Sequence, residues 1–500
     1  MPEQNGASLK GNKPGRLHKR FIVKCKTLLH PNSRKATNEE MIVPQSDHLH
    51  GEDLKAVIGS EKLGYGQNVQ QNDEYDDNDD DDSIPARCDF KTIAAIPDSK
   101  FQDLVRAGCD LDGTLEMPCV TGRTNGTYNY VAFVDVTGSD GVIQYVVRIP
   151  GHSTLTHWQP EDAYILKREV DLLKIIREQT SAPVPEIISY GTDHDNVLGY
   201  PFILMTKLPG KKACDIWFDQ PYGQDNHNWA NKSADVPTIG TERKRITFLR
   251  SLARIMTDIQ SISFEQIGMP VYNEYHGDHY VGPTYHWVND RDDKLFERAA
   301  SDPTQGYIRT ILEANFMPQW GPDVDFFSRK YGVYQILKMV FQQSVFNPPS
   351  PETFSIHHND LDLQNILVDK DGNITGIIDW DNTFLAPRCI GAAAVPIFLR
   401  NDWFPHYAND LRIAPHTAWN YQYYREIYAA AMIEAGNDTD VKYTLKSAIY
   451  QAAIAAITEG GDATDLIEKL LREIPHCRVD VNDFKRAYGM GWPAARVYYF

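Results

Sequence analysis

Five hundred residues with 42% apolar content can bury a substantial core, which excludes a wholly disordered chain. A net charge of −18, with no basic face in the part that looks folded, argues against a nucleic-acid partner. No run of about eighteen apolar residues occurs, so no membrane span is expected. Seven cysteines without a CxxC pair suit a reducing, cytoplasmic setting better than a disulfide framework or a zinc site.

Residues 5–38 carry nine Lys or Arg and no acid, whereas residues 73–82 hold eight acids in ten positions. Blocks of like charge repel and stay solvated, so residues 1–86 read as a disordered, charged tail. Three readings of its basic start stand together: a plain solvated tail, a weak nuclear signal or a mitochondrial presequence.

Gly122-Arg123-Thr124-Asn125-Gly126-Thr127 then precedes a run at 128–136 rich in aromatic and β-branched residues. A small-residue loop between strands lets backbone N–H groups approach phosphate. Gly122, Thr124, Asn125 and Gly126 are therefore candidate nucleotide contacts, although an ordinary turn explains two glycines equally well. Residues 142–149 read as the partner strand, with Gly138-Ser139-Asp140-Gly141 as the turn. Strand side chains alternate, so Arg148 shares a face with Val146 and Gln144.

Residues 161–179 have helical periodicity, with Ile165, Leu166, Val170, Leu172, Leu173 and Ile176 on one face. Glu169 falls inside that apolar arc. A buried carboxylate is costly unless paired, and Arg148 is the cation at hand; the alternative is a Glu169 at the edge of the stripe that reaches solvent. Pro183-Val184-Pro185 ends the helical region. Residues 202–205 read as a short buried strand stopped by Pro209-Gly210. Beyond it the chain reads as helical, with core stripes at Ile246, Leu249, Leu252, Ala253, Met256 and Ile259, and again at Tyr424, Ile427, Tyr428, Ala431 and Met432.

The densest chemistry lies in His358-Asn359-Asp360-Leu361-Asp362-Leu363-Gln364-Asn365, with Asp379-Trp380-Asp381 fourteen residues after Asn365. Two apolar runs, 366–368 and 374–378, flank Asp369-Lys370-Asp371-Gly372-Asn373 and read as a β-hairpin. A hairpin returns the chain on itself, so Asn365 at its entry and Asp379 at its exit should lie side by side. Phosphoryl transfer needs one group to position the attacking hydroxyl and two to hold magnesium on the nucleotide phosphates. His358 reads as a brace for the loop.

The stretch 358–365 with Ile377-Ile378-Asp379-Trp380-Asp381 resembles the catalytic core of the aminoglycoside phosphotransferase and choline kinase-like family, and the Val-Val-Arg-Ile-Pro strand resembles its fungal members. The resemblance covers about residues 90 to 410. It implies a two-lobed α+β protein-kinase-like fold: a small β-rich lobe over 87–206, which binds nucleotide, and a larger helical lobe over 207–500. It implies ATP and magnesium as cofactors, Asp360 as catalytic base, and Asn365 and Asp379 as magnesium ligands. It further implies that Arg148 paired with Glu169 places the phosphates, and that the backbone of Met205 to Lys207 meets the adenine.

The family usually has Lys where this chain has Arg148, and arginine is a planar fork rather than a point charge. The expected activity is phosphoryl transfer to a hydroxyl of a small molecule; the alternative is a silent kinase-like scaffold that binds nucleotide. Trp380, Asp381, Asp402, Trp403, Phe404, Tyr407, Trp419 and residues 421–424 follow the magnesium aspartate, where the family lines its acceptor pocket. Aromatic faces beside carboxylates suit a cationic amino alcohol, while Trp419 and the tyrosines read equally well as core.

Overall fold

The computed structural model describes residues 87–111, 117–138, 141–218, 237–287, 295–301, 303–318, 323–403, 417–458, 463–474 and 477–491. The expected tail, residues 1–86, lies outside them. Two short helices, α1 (Phe90–Ala94) and α2 (Asp98–Gly108), lead into an antiparallel sheet. Strands β1 (Pro118–Asn125), β2 (Asn129–Gly138) and β3 (Gly141–Pro150) are followed by helix α3 (Pro160–Gln179), then β4 (Ile187–Gly191) and β5 (Phe202–Thr206). The sheet order is β1-β2-β3-β5-β4. Alternation decides its two faces: Tyr145, Val147 and Ile149 pack on α1 and α2, while Val146 packs with Leu166 and Val170 of α3.

One expectation is corrected here. Gly122, Thr124 and Asn125 are not in a loop; they belong to β1 and pair with Phe133, Val131 and Tyr130 of β2. The strand absorbs Gly122 through an irregularity between Val120 and Gly122. Arg123 anchors the strand by donating to Ile96 O at 2.7 Å and stacking over the Phe101 ring.

After β6 (Lys211–Lys212), helices α4 (Ala213–Trp217) and α5 (Ile239–Gln260) open the second lobe. A purely helical continuation was expected, but four strands intervene: β7 (Met269–Asn273) pairs with β8 (Asp278–Gly282), and β9 (Thr284–Trp287) with β10 (Leu295–Arg298). These strands are four or five residues long and broken by turns, too short for their alternation to stand out. Helices α6 (Thr304–Phe316) and α7 (Val324–Phe341) follow, then β11 (Phe354–His357), β12 (Ile366–Val368), β13 (Ile374–Ile377) and β14 (Phe384–Pro387). The chain closes with α8 (Thr417–Glu434), α9 (Val441–Thr444), α10 (Ser447–Thr458), α11 (Ala463–Arg472) and α12 (Val481–Met490). Among the described residues no helix is long and apolar enough to cross a membrane.

Helix α3 serves both lobes. Leu166 and Val170 pack on Ile203 and Met205 of the sheet, whereas Leu172, Leu173, Ile175 and Ile176 join the core built on α5 and the β12–β13 hairpin. Each fully buried aliphatic side chain contributes about 1.5–3 kcal/mol. The helix is therefore held to the second lobe as firmly as to the sheet that it follows in sequence.

Candidate active site

The β12–β13 hairpin forms as expected, with Ile366 opposite Ile377 and Leu367 opposite Gly376. Its turn is stapled by Asp369, whose Oδ1 accepts from the N–H groups of Asp371 and Asn373 at 2.9 Å. Gly372 has φ +91°, the left-handed backbone that glycine adopts without penalty. Gly210, at φ +118°, lets the chain leaving β5 pass over the hairpin; a Cβ there would lie 2.9 Å from Val368 O. Lys211 and Lys212 then pair with Val368 and Leu367.

The hairpin closes the site. Ile378 donates its N–H to Asn365 O at 2.9 Å, which sets Asp379 beside Asn365. Asn365 spends its side-chain N–H groups on Asp360, reaching Oδ2 at 2.8 Å and the backbone O at 3.0 Å. Its own Oδ1 accepts no hydrogen bond among the described residues. Asp379 sits at φ +64°, a left-handed conformation that Asp tolerates better than most residues. No motif in the sequence announces that strain.

His358 braces the loop from behind. Its Nε2 lies 3.1 Å from Ile378 O, and its Nδ1 accepts the Asp360 N–H at 3.1 Å. Burial pushes its pKa down to about 4. The neutral ring is the form that can bond both ways at once. The Trp380 ring packs tilted against it at 4.5 Å between centroids, and the indole N–H donates to Ile377 O.

From the first lobe, Arg148 makes a buried ion pair with Glu169. Its other nitrogen lies 3.6 Å from Asp379 Oδ1. Glu169 is 5% exposed, so the edge-of-stripe alternative is excluded. Burial lowers the Arg148 pKa, but Glu169, Asp381 and Asp379 outweigh that and raise it. Burial raises the Glu169 pKa against the pull of Arg148. Asp379 is pushed up to about 6, by burial first and then by Asp381 and Asp360, against the pull of Arg148. Three carboxylates thus converge near one arginine that is already paired.

That surplus of negative oxygen suits a divalent cation. Among the described residues no group of three His, Cys, Asp or Glu side chains could hold a metal alone. Magnesium characteristically takes one or two protein oxygens and completes its shell with phosphates and water. The Asp379 carboxylate and Asn365 Oδ1 fit that pattern.

The remaining nucleotide candidates are less coherent. Gly126 is at the β1–β2 turn, but its N–H donates to Asn129 O at 2.9 Å and is not available to a phosphate. Met205 is buried, and the Lys207 N–H and ammonium both bond Gln144.

Beyond Arg148 and Glu169 opens a cavity of about 390 Å³ between α3 and the second lobe. Asp381 and Asn382 are among its lining residues; Asp360, Asn365, Asp379, Met205 and Lys207 are not. The aromatic set expected there is mostly elsewhere. Trp380 is 1% exposed behind the loop, and Asp402 is committed to Arg425 by two contacts of 2.8 and 2.9 Å. Trp403 packs between the two large cores under Lys469, and Tyr424 is buried beside Arg245. Phe404, Tyr407 and the Trp419 side chain lie outside the described residues. The lining comes instead from residues that no motif marked, among them Asp162, Tyr285, Arg298, Tyr307 and Arg400.

The sequence matches the family model described as the phosphotransferase enzyme family over residues 120–236 and 239–427, more than half of its length. The chain belongs to the phosphotransferase enzyme family. It is 27% identical over 262 residues to clavilactone A biosynthesis cluster protein Y of Ampulloclitocybe clavipes, covering 50% of this chain and 56% of that relative. It is 19% identical over 273 residues to the probable acyl-CoA dehydrogenase IBR3 of Arabidopsis thaliana, covering 54% of this chain and 26% of that much longer protein. The chain thus spans just over half and about a quarter of these relatives. Among solved structures, a macrolide 2'-phosphotransferase type I aligns at 13% identity and a TM-score of 0.35, over 76% of this chain and 97% of that one.

Proposed function

We propose that this phosphotransferase uses ATP and magnesium to phosphorylate a hydroxyl group of a small molecule. One observation carries the reading: the hairpin sets Asn365 beside Asp379, and Asn365 bonds Asp360, while Arg148 reaches Asp379 from the opposite lobe. A base position, two oxygens for a metal and a phosphate-side cation then lie within one cleft, the set that phosphoryl transfer requires.

In this reading Asp360 orients the acceptor hydroxyl and accepts its proton, held in place by His358 from behind and Asn365 from the side. Asn365 and Asp379 hold magnesium, which when bound offsets charge on the phosphates. Arg148, kept extended by Glu169, directs its guanidinium toward the same oxygens. One terminal nitrogen stays on Glu169 and the other faces the Asp379 side, a fixed planar fork where a lysine would deliver a point charge. The first lobe, residues 87–206, covers the nucleotide.

The test is nucleotide binding and transfer measured side by side. Purified protein should bind ATP with magnesium-dependent affinity and move labelled phosphate onto members of a hydroxylated metabolite panel. Asp379→Asn should remove the magnesium dependence and cut transfer by about 100-fold or more. Magnesium-dependent binding without transfer to any hydroxyl, under conditions where the panel saturates, would favour the silent scaffold.

A further inference from the structure

The cavity lined by Arg148 and Glu169 has an unusual charge inventory. Its lining carries Arg87, Arg148, Arg298 and Arg400 against Asp162, Glu169 and Asp381. Two of the three carboxylates are already bonded within the protein: Glu169 to Arg148, and Asp162 to Arg87 at 2.7 Å. Asp162 also accepts the Gln159 N–H at the start of α3, and His152 stands 3.4 Å from its second oxygen. The third, Asp381, two residues beyond Asp379, accepts from Asn129 at 3.3 Å. A cationic acceptor reaching inward would meet no uncommitted carboxylate.

An anionic one would meet arginine. Arg298 ends β10 opposite Thr284, another lining residue. Its guanidinium lies 5.9 Å from the Tyr307 ring, and no carboxylate among the described residues pairs with it. Tyr307 is wedged between the two large cores, so the surface under Arg298 is rigid. Arg400 lines the same cavity from the loop after β14 and is largely buried. The same lining includes apolar side chains, among them Ile165, Leu166, Met269, Phe384 and Ile454.

We propose that the acceptor is an anionic hydroxylated molecule with an apolar carbon skeleton, its carboxylate held by Arg298 and Arg400 and its hydroxyl directed toward Asp381 and the transfer site. The inference rests on the kinase reading and narrows its substrate class. It departs from the cationic amino alcohol expected from the aromatic segment, whose described members Trp380, Trp403 and Tyr424 pack into the cores. Arginine binds carboxylate through a planar two-point contact. The cavity volume is that of a small-ligand site, enough for a skeleton of about four to eight carbons.

The test separates this inference from the kinase reading by measuring binding without turnover. Calorimetry of the full chain with hydroxycarboxylates of about four to eight carbons should show affinity at least about tenfold above their primary amides and above amino alcohols of the same skeleton. Arg298→Gln should bring the acid and its amide to comparable affinity, with a thermal melt confirming the fold, and Arg298→Lys should restore part of the preference. In transfer assays the same variant should raise KM for the acid more than it lowers kcat. Equal or tighter binding of amides or amino alcohols, or no binding of any hydroxycarboxylate, would overturn the inference. Loss of magnesium-dependent ATP binding in the same wild-type protein would instead sink the kinase reading.

Discussion

The two ends of the cleft are built in opposite ways. At the phosphate end Asp360, Asn365 and Asp379 come from one short segment, and a three-residue strand pairing fixes their relation. At the acceptor end Asp162, Arg298, Tyr307 and Arg400 come from α3, β10, α6 and the loop after β14. The first end is acid-rich and strained at Asp379; the second pairs its acids internally and presents arginine. A local device tolerates changes elsewhere in the chain, so it suits chemistry that must stay constant. A site gathered from four elements can be altered one element at a time, so it suits substrate choice.

The largest effect that can break this comparison is at the base. Asp360→Asn should lower transfer by about 10³-fold for every acceptor, with ATP affinity unchanged within about threefold. Acceptor-dependent losses would mean that the two ends are not separable. Next comes the pair joining the lobes. Glu169→Ala leaves Arg148 buried with Asp379 as its remaining partner, and should cost about 3 kcal/mol in chemical denaturation and at least about tenfold in transfer. A variant as stable as wild type would show that the pair is not structural.

The two neighbouring histidines report on the ends separately. His357 lines the acceptor cavity and is pushed down to about 4 by burial and by Arg400; His358 braces the base loop and is pushed down to about 4 by burial. The unfolded chain takes up these protons near the ordinary imidazole value of 6.5, before the folded one does. Each ring therefore contributes stability present above about 6.5 and lost as pH falls toward 4, about 3 kcal/mol at most. Asp362, pushed up to about 6 by burial, and Asp379 act in the opposite direction, gaining stability as pH falls below about 6. In NMR titrations an anionic acceptor should raise the His357 pKa and leave His358 unmoved. Equal shifts in both would blur the two ends. The smallest effect expected is at Gly122→Ala, which should change ATP affinity less than about twofold. Its backbone is in β1, and an added Cβ would touch Phe133 only at 3.6 Å. A tenfold loss would return that strand to the nucleotide site.

What the sequence made legible follows the same division. The catalytic hairpin and the strand holding Arg148 were readable because residue type, turn chemistry and period-two alternation act over a dozen residues. Glu169 was readable because a carboxylate inside a helical stripe demands a cation. The burial of Trp380 and the engagement of Asp402 by Arg425 were not readable. Both depend on segments that meet only after folding. Arg298 left no local trace either, since a lone arginine after a short strand looks like any surface cation.

The β7–β8 hairpin grips α3 from the second lobe. Glu274 meets Lys174 at 2.7 Å and Lys167 at 3.4 Å, the Tyr272 hydroxyl donates to Glu178 at 2.6 Å, and the Tyr164 hydroxyl donates to Pro283 O at 3.0 Å. The Glu274 pKa is drawn down to about 2, chiefly by Lys174. Individually such surface contacts contribute little. Together with the shared core they couple the opening of α3 to that of the helical lobe. Swinging Glu169 away from Arg148 is then a subglobal unfolding event and not a hinge motion. Backbone amides of α3 should exchange with deuterium at the rate of α5 rather than that of the sheet edge β1. The two walls of the cleft are thus held together by the packing and surface contacts of one helix.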